Sequence, residues 1–354
     1  MKHVDVLVVG AGVAGSIFSL TCSDELDVMV IDKKKCDSSS KGFKKPCGGL
    51  LAHDAQKSLA KLGLTLPLSV LVNPQIFAVK TMDANSRLTR FYQRFYLNID
   101  RHRFDCWLAS LIREKVTLVD DAFVTDIQYV NDQAIVTYKK NNQTFVVQAT
   151  TLIGADGAAS LVRKSISNKP IRQYLAIQEH MQASSSDAQL SCFFDSSITD
   201  CYGWASVKDD SLIVGVALPL NESSNRYDRF KKMITSFNIP LSDVIKKEAC
   251  LVNSPSSPFQ IVEGKNNVGL IGEAAGFISP SSLEGISYAI DSALCASQSF
   301  KDKKFSLKKY RAKTTSLKVK ILLKIFKSIV LYTPWIRKLV LLSNIQAIKV
   351  NSIK

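Results

Sequence analysis

The chain opens with Val4-Asp5-Val6-Leu7-Val8-Val9-Gly10-Ala11-Gly12-Val13-Ala14-Gly15, an apolar run that passes into three spaced glycines. A valine-rich run of this length predicts a parallel strand that is buried on both faces. The glycines complete the pattern G-x-G-x-x-G where the strand would turn into a helix. The first permits a tight turn, the second lets backbone N–H groups approach a pyrophosphate, and the third lets the helix pack closely on the strand. We therefore expect dinucleotide phosphates at the start of the first helix.

A second valine-rich run supports this interpretation. Asp27-Val28-Met29-Val30-Ile31 predicts another buried strand, and Asp32 follows it directly. An acid about 20 residues after the glycine pattern is suited to accept the 2′-hydroxyl of a ribose. Together the two runs predict a βαβ unit that binds an adenine dinucleotide.

Composition sets the class of protein. The 354 residues are 46% hydrophobic and 22% charged, as in a folded protein with two or more domains. Eight cysteines form no C-x-x-C pair, so we expect packing residues in a reducing, cytosolic setting. The sequence lacks an apolar run of about 18 residues, a cluster with metal-ligand spacing and a G-x-S-x-G elbow. These absences argue against a transmembrane span, a metal centre and serine-hydrolase chemistry.

The positive charge lies in the C-terminal tail. Residues 301–354 contain 15 Lys or Arg and one acid, which accounts for +14 of the net +15. Lysines recur on one helical face of this segment, whereas the other carries Val319, Leu322, Leu323, Phe326 and Val330. One interpretation is a helix lying on an anionic membrane surface. The other is a helical cap that packs on the body. The high aliphatic content argues against nucleic acid.

Patterning of the rest of the chain predicts its organisation. A long polar and Gly-rich connection over residues 36–49 is typical of a functional loop. Residues 75–98 predict a hairpin that turns at Asn85-Ser86 and belongs to a second sheet. Residues 172–260 are rich in alternating strands, which favours an antiparallel sheet. Further along the chain, the sequence predicts a buried strand at 267–271 and a helix that follows residue 286.

Three motifs stand in a fixed order: GAGVAG at 10–15, GADGAASLVR at 154–163 and GEAAG at 272–276. With Arg101-x-x-Phe104-Asp105 they resemble the flavoprotein hydroxylase superfamily, which has the p-hydroxybenzoate hydroxylase fold. The resemblance implies FAD as the cofactor. It departs at Glu273, where the family pattern has an aspartate, although the charge is kept. Lys45-Pro46-Cys47-Gly48-Gly49 is similar to the K-x-C-G loop of the geranylgeranyl reductase group.

The resemblance, which covers about residues 1–300, implies an α/β fold with a discontinuous Rossmann-like FAD-binding domain and an inserted antiparallel β-sheet substrate domain. The pattern of residues 301–354 adds a C-terminal helical tail. The expected segments are FAD-binding parts at 1–74, 99–170 and 263–300, a substrate-domain hairpin at 75–98, the substrate domain proper at 171–262, and basic amphipathic helices at 301–354.

The same resemblance implies roles for single residues. Glycines 10, 12 and 15 would cradle the pyrophosphate, Asp32 would hold the adenosine ribose, and Glu273 would bind the ribityl chain. Gly285 and Ile286 would point backbone N–H groups and a helix dipole at the flavin N1–C2=O edge. The complete set expected to contact FAD is Gly10, Gly12, Ala14, Gly15, Asp32, Lys33, Cys47, Gly48, Arg101, Val124, Asp156, Gly272, Glu273, Gly285 and Ile286.

Three residues are candidates for the chemistry. Cys47 would face the isoalloxazine ring as a proton donor, or it would only shape the pocket. Tyr202 and Trp204 alternate by two, so they share a strand face that is either an aromatic wall for substrate or ordinary sheet packing. His102 is interpreted as a solvated or nucleotide-side residue, and His180 has no partner that the sequence reveals.

The first functional hypothesis is a reductase that passes hydride from flavin N5 to a C=C bond of an apolar, isoprenoid-like substrate. The runner-up is a monooxygenase that hydroxylates through a flavin C4a-hydroperoxide. A flavin-binding protein without turnover is the third hypothesis, and the missing W-x-W-x-I-P stretch disfavours a halogenase. The reductase needs an external electron donor, either NAD(P)H or a reduced carrier protein.

Overall fold

A computed structural model describes residues 1–36, 44–183, 187–221 and 223–349 of the chain. Half of the predicted connection at 36–49, namely residues 37–43, lies outside these described residues. The strands are β1 Lys2–Val9, β2 Val28–Ile31, β3 Leu50–Leu51, β4 Ile76–Asp83, β5 Leu88–Asn98, β6 Thr117–Val119, β7 Phe123–Val130, β8 Gln133–Lys140, β9 Gln143–Gly154, β10 Gln173–Gln182, β11 Gln189–Phe194, β12 Gly203–Lys208, β13 Ser211–Leu218, β14 Val244–Asn253, β15 Gly264–Lys265, β16 Val268–Leu270, β17 Phe300–Lys301, β18 Lys304–Phe305 and β19 Ala347–Ile348. The helices are α1 Val13–Thr21, α2 His53–Lys61, α3 Arg101–Ser110, α4 Leu161–Ile166, α5 Ser223–Thr235, α6 Gly272–Ala275, α7 Ile286–Ser297, α8 Leu307–Lys313, α9 Thr315–Tyr332 and α10 Pro334–Leu342.

The first sheet is the predicted nucleotide sheet. Its strands lie in the order β15-β16-β9-β1-β2-β6, and β7 and β8 extend it beyond β9. β1 pairs in parallel with β2 and with β9, and the side chains of Val6, Leu7 and Val8 are fully buried. The prediction of a buried parallel βαβ unit at the start of the chain is confirmed.

One strand of this sheet takes part in two kinds of pairing. β9 runs without a break from Gln143 to Gly154. No glycine or proline interrupts residues 143–153, so the chain stays extended. β9 therefore pairs antiparallel with β8 and parallel with β1.

The second sheet contains nine strands, most of them in the order β14-β10-β13-β12-β11-β4-β5-β19, with β3 paired to β5. It includes the hairpin β4–β5, which turns at the predicted place. The sheet is antiparallel as expected, except that β11 pairs in parallel with β4. The mixed α/β fold with two large sheets is thus confirmed, whereas the boundaries of the six segments stay predictions.

Helix α9 of the tail packs on the body through a different face from the one that the apolar periodicity predicted. Leu317, Ile321 and Ile325 of α9 are buried in the core. The side chains expected to form the apolar face of this helix are exposed instead: Val319 by 52%, Leu322 by 38%, Leu323 by 63%, Phe326 by 60% and Val330 by 40%. α9 is therefore apolar on its inner side and on much of its outer side.

Two further findings concern the whole chain. Cys36 and Cys106 form a disulfide between the end of the second strand and α3, so the interpretation of all cysteines except Cys47 as simple packing residues is wrong for this pair. Spacing could not reveal it because 70 residues separate the two. None of the helices in the described residues is both long and apolar enough to span a bilayer.

Candidate active site at the junction of the two sheets

The glycine turn has the close packing that its motif requires. Gly10 has a φ of +103°, and a side chain at Gly15 would place its Cβ only 1.8 Å from the carbonyl oxygen of Gly10. A Cβ at Gly12 would meet nothing within 4 Å. Gly10 and Gly15 are therefore required by the protein's own backbone, whereas Gly12 faces open space at the N-terminal end of α1.

Asp32 faces this turn. Its carboxylate accepts a hydrogen bond from the backbone N–H of Ala11 and another, at 2.5 Å, from that of Lys34. Asp32 is nearly buried, and Lys33 beside it is exposed. The acid thus lies at the edge of the turn, where the sequence had placed the ribose.

Arg101 is oriented by a buried acid on its own helix. Its Nε lies 2.9 Å from Oδ1 of Asp105, and Nζ of Lys34 lies 3.1 Å from Oδ2 of the same residue. Burial opposes ionisation of Asp105, but the two cations outweigh it and hold the pKa of this carboxyl below its ordinary value. Asp105 therefore holds two positive charges beside the nucleotide turn.

The loop Lys45–Gly49 is joined to the third motif. Nζ of Lys45 lies 2.6 Å from Oε2 of Glu273, and Oε1 of Glu273 accepts a hydrogen bond from the backbone N–H of Asn253 at 3.0 Å. A Cβ on Gly272 would lie 3.0 Å from Cβ of Ala14. The first and third motifs therefore meet in the fold.

Four other predicted contact residues have structural surroundings of their own. The Asp156 carboxylate accepts hydrogen bonds from the backbone N–H groups of Leu161 at 2.7 Å and Val162 at 3.2 Å, so it caps α4. Val124 lies on β7, half-buried and opposite Tyr138. Gly285 is the N-cap of α7, and Ile286 is the first residue of that helix.

A cavity of about 600 Å³ opens between the loop with Cys47, the start of α3 and the second sheet. Its walls carry six Lys or Arg side chains and two carboxylates. The lining includes Lys45, Cys47, Arg101, Arg103, Gln178, His180, Lys208, Lys246 and Glu248. The volume is in the range of small-molecule sites, but the charge of the walls is unusual for an apolar ligand.

Cys47 lies on the wall formed by the glycine-rich loop. Its sulfur accepts a hydrogen bond from the backbone N–H of Gly49 at 3.3 Å, and the Arg101 guanidinium lies beside it. From the opposite sheet, Nζ of Lys208 donates to the carbonyl oxygens of Gly49 at 3.0 Å and Ile99 at 2.8 Å. Burial lowers the pKa of Lys208 to about 8.

Tyr202 and Trp204 share a face, with ring centroids 5.9 Å apart. The Tyr202 hydroxyl donates to the carbonyl oxygen of Ser282 at 2.7 Å, in the loop that leads into α7. The indole N–H of Trp204 is buried and has no hydrogen-bond partner within the described part of the chain. A buried donor without a partner favours a ligand at this position.

The aromatic pair lies beside the cavity and does not line it. A Cβ on Gly215 would lie 2.4 Å from the Trp204 ring and 2.9 Å from Cβ of Gln178, so these two side chains flank Gly215. Gln178 lines the cavity. The inner face of the second sheet therefore passes from an aromatic region at Tyr202 and Trp204 to a charged region within two strands.

His180 has partners that the sequence could not reveal. Its Nε2 lies 3.0 Å from Oε2 of Glu248, which also accepts a hydrogen bond from Nε2 of Gln178 at 3.0 Å. Burial opposes ionisation of Glu248, but hydrogen bonds from Lys246 and Gln178 prevail and lower its pKa. His180 lies on β10 and Glu248 on β14, and the antiparallel pairing of these two strands brings the side chains together.

His102 lies beside the disulfide sulfur of Cys106 and lines the same cavity.

A loop residue beside α7 was also missed. Glu284 precedes Gly285, and Tyr96, Ser282 and two tail lysines surround its carboxyl. Burial raises the pKa of this carboxyl above its ordinary value. Within the described ranges, no group of three or more His, Cys, Asp or Glu side chains is arranged to hold a metal ion.

Comparisons with known proteins show the family of this chain. The sequence model of a family described as FAD binding domain matches residues 3–230. Protein CbrA of Escherichia coli O6:H1 is 42% identical over 347 residues, which cover 98% of this chain and 94% of that protein.

Two solved structures share the fold. A geranylgeranyl bacteriochlorophyll reductase-like protein of Thermoplasma acidophilum aligns with a TM-score of 0.82 at 20% identity, covering all of this chain and 94% of that one. PqsL of Pseudomonas aeruginosa, described as a probable FAD-dependent monooxygenase, aligns with a TM-score of 0.69 at 14% identity, covering 97% and 99%. At these identities the likeness concerns the fold alone.

Proposed function

The chain belongs to the FAD binding domain family, and on that premise we propose that it is an FAD-dependent reductase that saturates a C=C bond of an apolar, isoprenoid-like substrate. When bound, FAD supplies hydride chemistry at its N5 atom. The observation that carries the proposal is the ion pair between Lys45 and Glu273, since it brings the K-x-C-G-like loop against the third FAD motif.

The residues present fit FAD. Gly12 leaves open space at the N-terminus of α1, where a side chain would intrude on a pyrophosphate. Asp32 at the same turn offers a carboxylate for a ribose hydroxyl, and Arg101 offers a cation for phosphate. Glu273 and the N-terminus of α7 complete the set of groups expected along the ribityl chain and the flavin ring.

In this proposal the Cys47 thiol donates a proton to the substrate, or it holds that proton in position. Its sulfur lies on the loop whose conformation is held by Lys45, by the hydrogen bond from Gly49 and by Lys208. A substrate carbon that receives hydride also needs a proton at its neighbour, and an S–H group on the cavity wall is suited to provide it. Tyr202 and Trp204 would form the wall for the apolar part of the substrate.

The test is anaerobic. Purified protein loaded with FAD and reduced chemically is mixed with polyprenyl substrates, and mass spectrometry follows the addition of two hydrogens. Cys47→Ser should slow this step at least about tenfold, in the range of general acid catalysis. Cys295→Ser changes a free cysteine that does not line the cavity, and it should not slow this step. A hydroxylated product that forms only with oxygen would replace the reductase with a monooxygenase.

We further propose that the tail contacts an anionic membrane surface. Four large apolar side chains of the tail are between 58% and 66% exposed, namely Leu323, Phe326, Trp335 and Leu339. A surface that contacts only water does not require such exposed apolar side chains. The same helices carry lysines within a segment of net charge +14. Apolar side chains flanked by lysine are suited to the interface of an anionic bilayer.

Vesicle sedimentation tests the membrane contact. The protein should pellet with vesicles that contain phosphatidylglycerol and should bind much less to phosphatidylcholine alone, and added salt should weaken binding. Phe326→Ser combined with Trp335→Ser should reduce binding while leaving the flavin spectrum intact. Equal binding to both vesicle types would refute the electrostatic part of this proposal.

A further inference from the structure

The tail packs next to the proposed substrate wall, which is formed by Tyr202 and Trp204. These two rings do not line the cavity of about 600 Å³. They pack instead on a buried cluster around Cys201, and Tyr332 at the end of α9 packs on the same cluster. The ring centroid of Phe194 lies 6.3 Å from that of Tyr202 and 6.2 Å from that of Tyr332. The end of α9 and the aromatic wall therefore form one packed unit.

Tyr332 and Tyr202 also hold the same loop. The hydroxyl of Tyr332 donates to the carbonyl oxygen of Ser281 at 2.9 Å, and that of Tyr202 donates to the next carbonyl oxygen, of Ser282, at 2.7 Å. This loop leads into α7. The position of the tail is thereby linked to the wall and to the loop before α7.

The segment that follows α9 is held by Arg337. Its guanidinium lies 2.8 Å from Oδ1 of Asp83 on the second sheet, and it donates to the carbonyl oxygen of Leu331 at 2.8 Å. The backbone is extended at Thr333, where α9 ends and α10 begins. A change of backbone angles at this break would move α10 and the end of α9 relative to each other, as at a hinge.

The same segment carries apolar side chains on its outer side. Phe326, Trp335 and Leu339 belong to the proposed membrane contact and are exposed. Residues 326–342 thus have an inner side against the aromatic wall and an outer side suited to a bilayer interface. A membrane shifts the position of such a segment only if it binds one position better than the other. Insertion of the exposed side chains into the interface provides that difference.

We propose that residues 326–342 form a lid on the aromatic wall, and that contact with an anionic membrane opens this lid. The inference rests on the proposed membrane contact and on the wall of the proposed reductase. Phe326 and Trp335 enter the bilayer interface as the segment turns about Thr333, and Tyr332 leaves the wall. An apolar substrate then passes from the bilayer to the wall without exposing its hydrocarbon to water.

Cys201 is suited to report the position of the lid. Its Sγ lies 3.6 Å from the hydroxyl of Tyr332, and its side chain is 2% exposed. Burial raises the pKa of this thiol to about 12, so the closed protein presents almost no reactive thiolate. Cys22 is a matched control, because it is also a free cysteine that is 2% exposed but lies in the core of the first sheet.

The test measures alkylation of the FAD-loaded protein by N-ethylmaleimide, and peptide mass spectrometry reads each cysteine separately. Vesicles that contain phosphatidylglycerol should accelerate the reaction of Cys201 about tenfold or more, because the reactivity of a buried group follows the population of the open form. Vesicles of phosphatidylcholine alone should accelerate it much less. Cys22 should react equally slowly under all three conditions, with either vesicle or with none.

Two sets of variants separate the contact that holds the lid from the contact that opens it. Arg337→Met removes the ion pair with the second sheet, so Cys201 should react faster even without vesicles, whereas Lys338→Met should leave its rate unchanged. Phe326→Ser combined with Trp335→Ser should keep Cys201 slow in the presence of phosphatidylglycerol vesicles.

Three results would overturn the inference: Cys201 stays slow in protein that sediments with phosphatidylglycerol vesicles, Cys201 and Cys22 accelerate together, or the protein does not bind these vesicles. The second result would mean that the protein unfolds as a whole. Only the third also overturns the proposed membrane contact. The reductase is decided separately, because a lid that opens on vesicles while reduced protein leaves every alkene unchanged supports the lid and refutes the reductase.

Discussion

Nζ of Lys45 lies 2.6 Å from Oε2 of Glu273, although 228 positions separate them in the sequence. Burial disfavours the ammonium charge, but the adjacent carboxylate more than offsets this and holds the pKa of Lys45 above its ordinary value. Since a raised lysine pKa keeps the group charged at higher pH, the pair persists throughout the neutral range. It joins the loop with Cys47 to the segment expected along the ribityl chain.

Removing either partner of this pair should weaken FAD binding. Lys45→Met leaves the Glu273 carboxylate without its cation, and Glu273→Gln leaves the ammonium without its anion. Each should raise the Kd of FAD about tenfold or more, because a hydrogen bond between charged groups contributes roughly 1.5–3 kcal/mol. Flavin fluorescence during titration of the apoprotein measures this.

The double variant of Lys45 and Glu273 separates pairing from independent contacts with FAD. If the two residues act as a pair, the loss in the double variant is smaller than the product of the single losses. Lys57→Met, an exposed lysine on α2, serves as the charge control and should bind FAD normally. Fully multiplicative losses would mean that the pair is not coupled.

Substitutions at two glycines of the first motif should separate effects on folding from effects on FAD binding. In Gly15→Ala the new Cβ would lie 1.8 Å from a backbone oxygen, so the apoprotein should lose several kcal/mol of stability. In Gly12→Ala the new Cβ meets nothing within 4 Å, so apoprotein stability should change by less than about 1 kcal/mol. FAD binding should nevertheless fall sharply in Gly12→Ala, since the methyl group would occupy the space beside the pyrophosphate. Urea unfolding and FAD titration give the two readouts, and a Gly12→Ala protein with normal FAD affinity would contradict the assignment.

Local sequence patterns were sufficient to predict the structure where it depends on residues that are close together in the chain. The glycine turn, β1, β2 and the hairpin at Asn85-Ser86 follow from residue types within short windows. The contacts on the inner face of the second sheet do not follow from residue types within short windows. His180 meets Glu248, and Lys208 meets Gly49, through pairings 68 and 159 residues apart, and neither strand carries a sign of its partner.

The tail shows a different limit of periodicity. A helix with apolar residues on two sides does not reveal which side the body will cover. Leu317, Ile321 and Ile325 are the ones that become buried in α9, and Leu323 and Phe326 stay outside. The choice depends on the core of the first sheet and its helices, into which these three side chains pack and which the helix sequence does not encode.

Lys208 should give the protein a distinct dependence of stability on pH. Its pKa is about 8 in the folded protein, whereas an unfolded lysine has a pKa of about 10.4. Between these values the unfolded chain binds more protons, so the free energy of unfolding rises with pH, by at most about 1.4 kcal/mol per pH unit. Well below pH 8 the lysine is protonated in both states and contributes no slope.

Lys208→Met should remove this slope. Urea unfolding of both proteins from about pH 7 to about pH 9.5 gives the difference, in which other titrating groups cancel. Absolute stability at neutral pH is not the readout, because methionine also leaves the carbonyl oxygens of Gly49 and Ile99 without their donor. Parallel pH profiles for the two proteins would show that Lys208 titrates normally.

Arg337 should anchor the tail to the second sheet. Its guanidinium lies 2.8 Å from Oδ1 of Asp83 and 2.9 Å from Oδ1 of Asn85, and both members of the ion pair are almost fully buried. Arg337→Met would leave the Asp83 carboxylate buried without a cation, a change that typically costs about 3–5 kcal/mol. Lys338→Met removes a charge from the exposed neighbour and should change stability by less than about 0.5 kcal/mol. Thermal unfolding measures the difference, and limited proteolysis should release α10 first in Arg337→Met. If Arg337→Met and Lys338→Met melt together and resist protease alike, α10 is held by its apolar contacts, and the ion pair contributes little to anchoring.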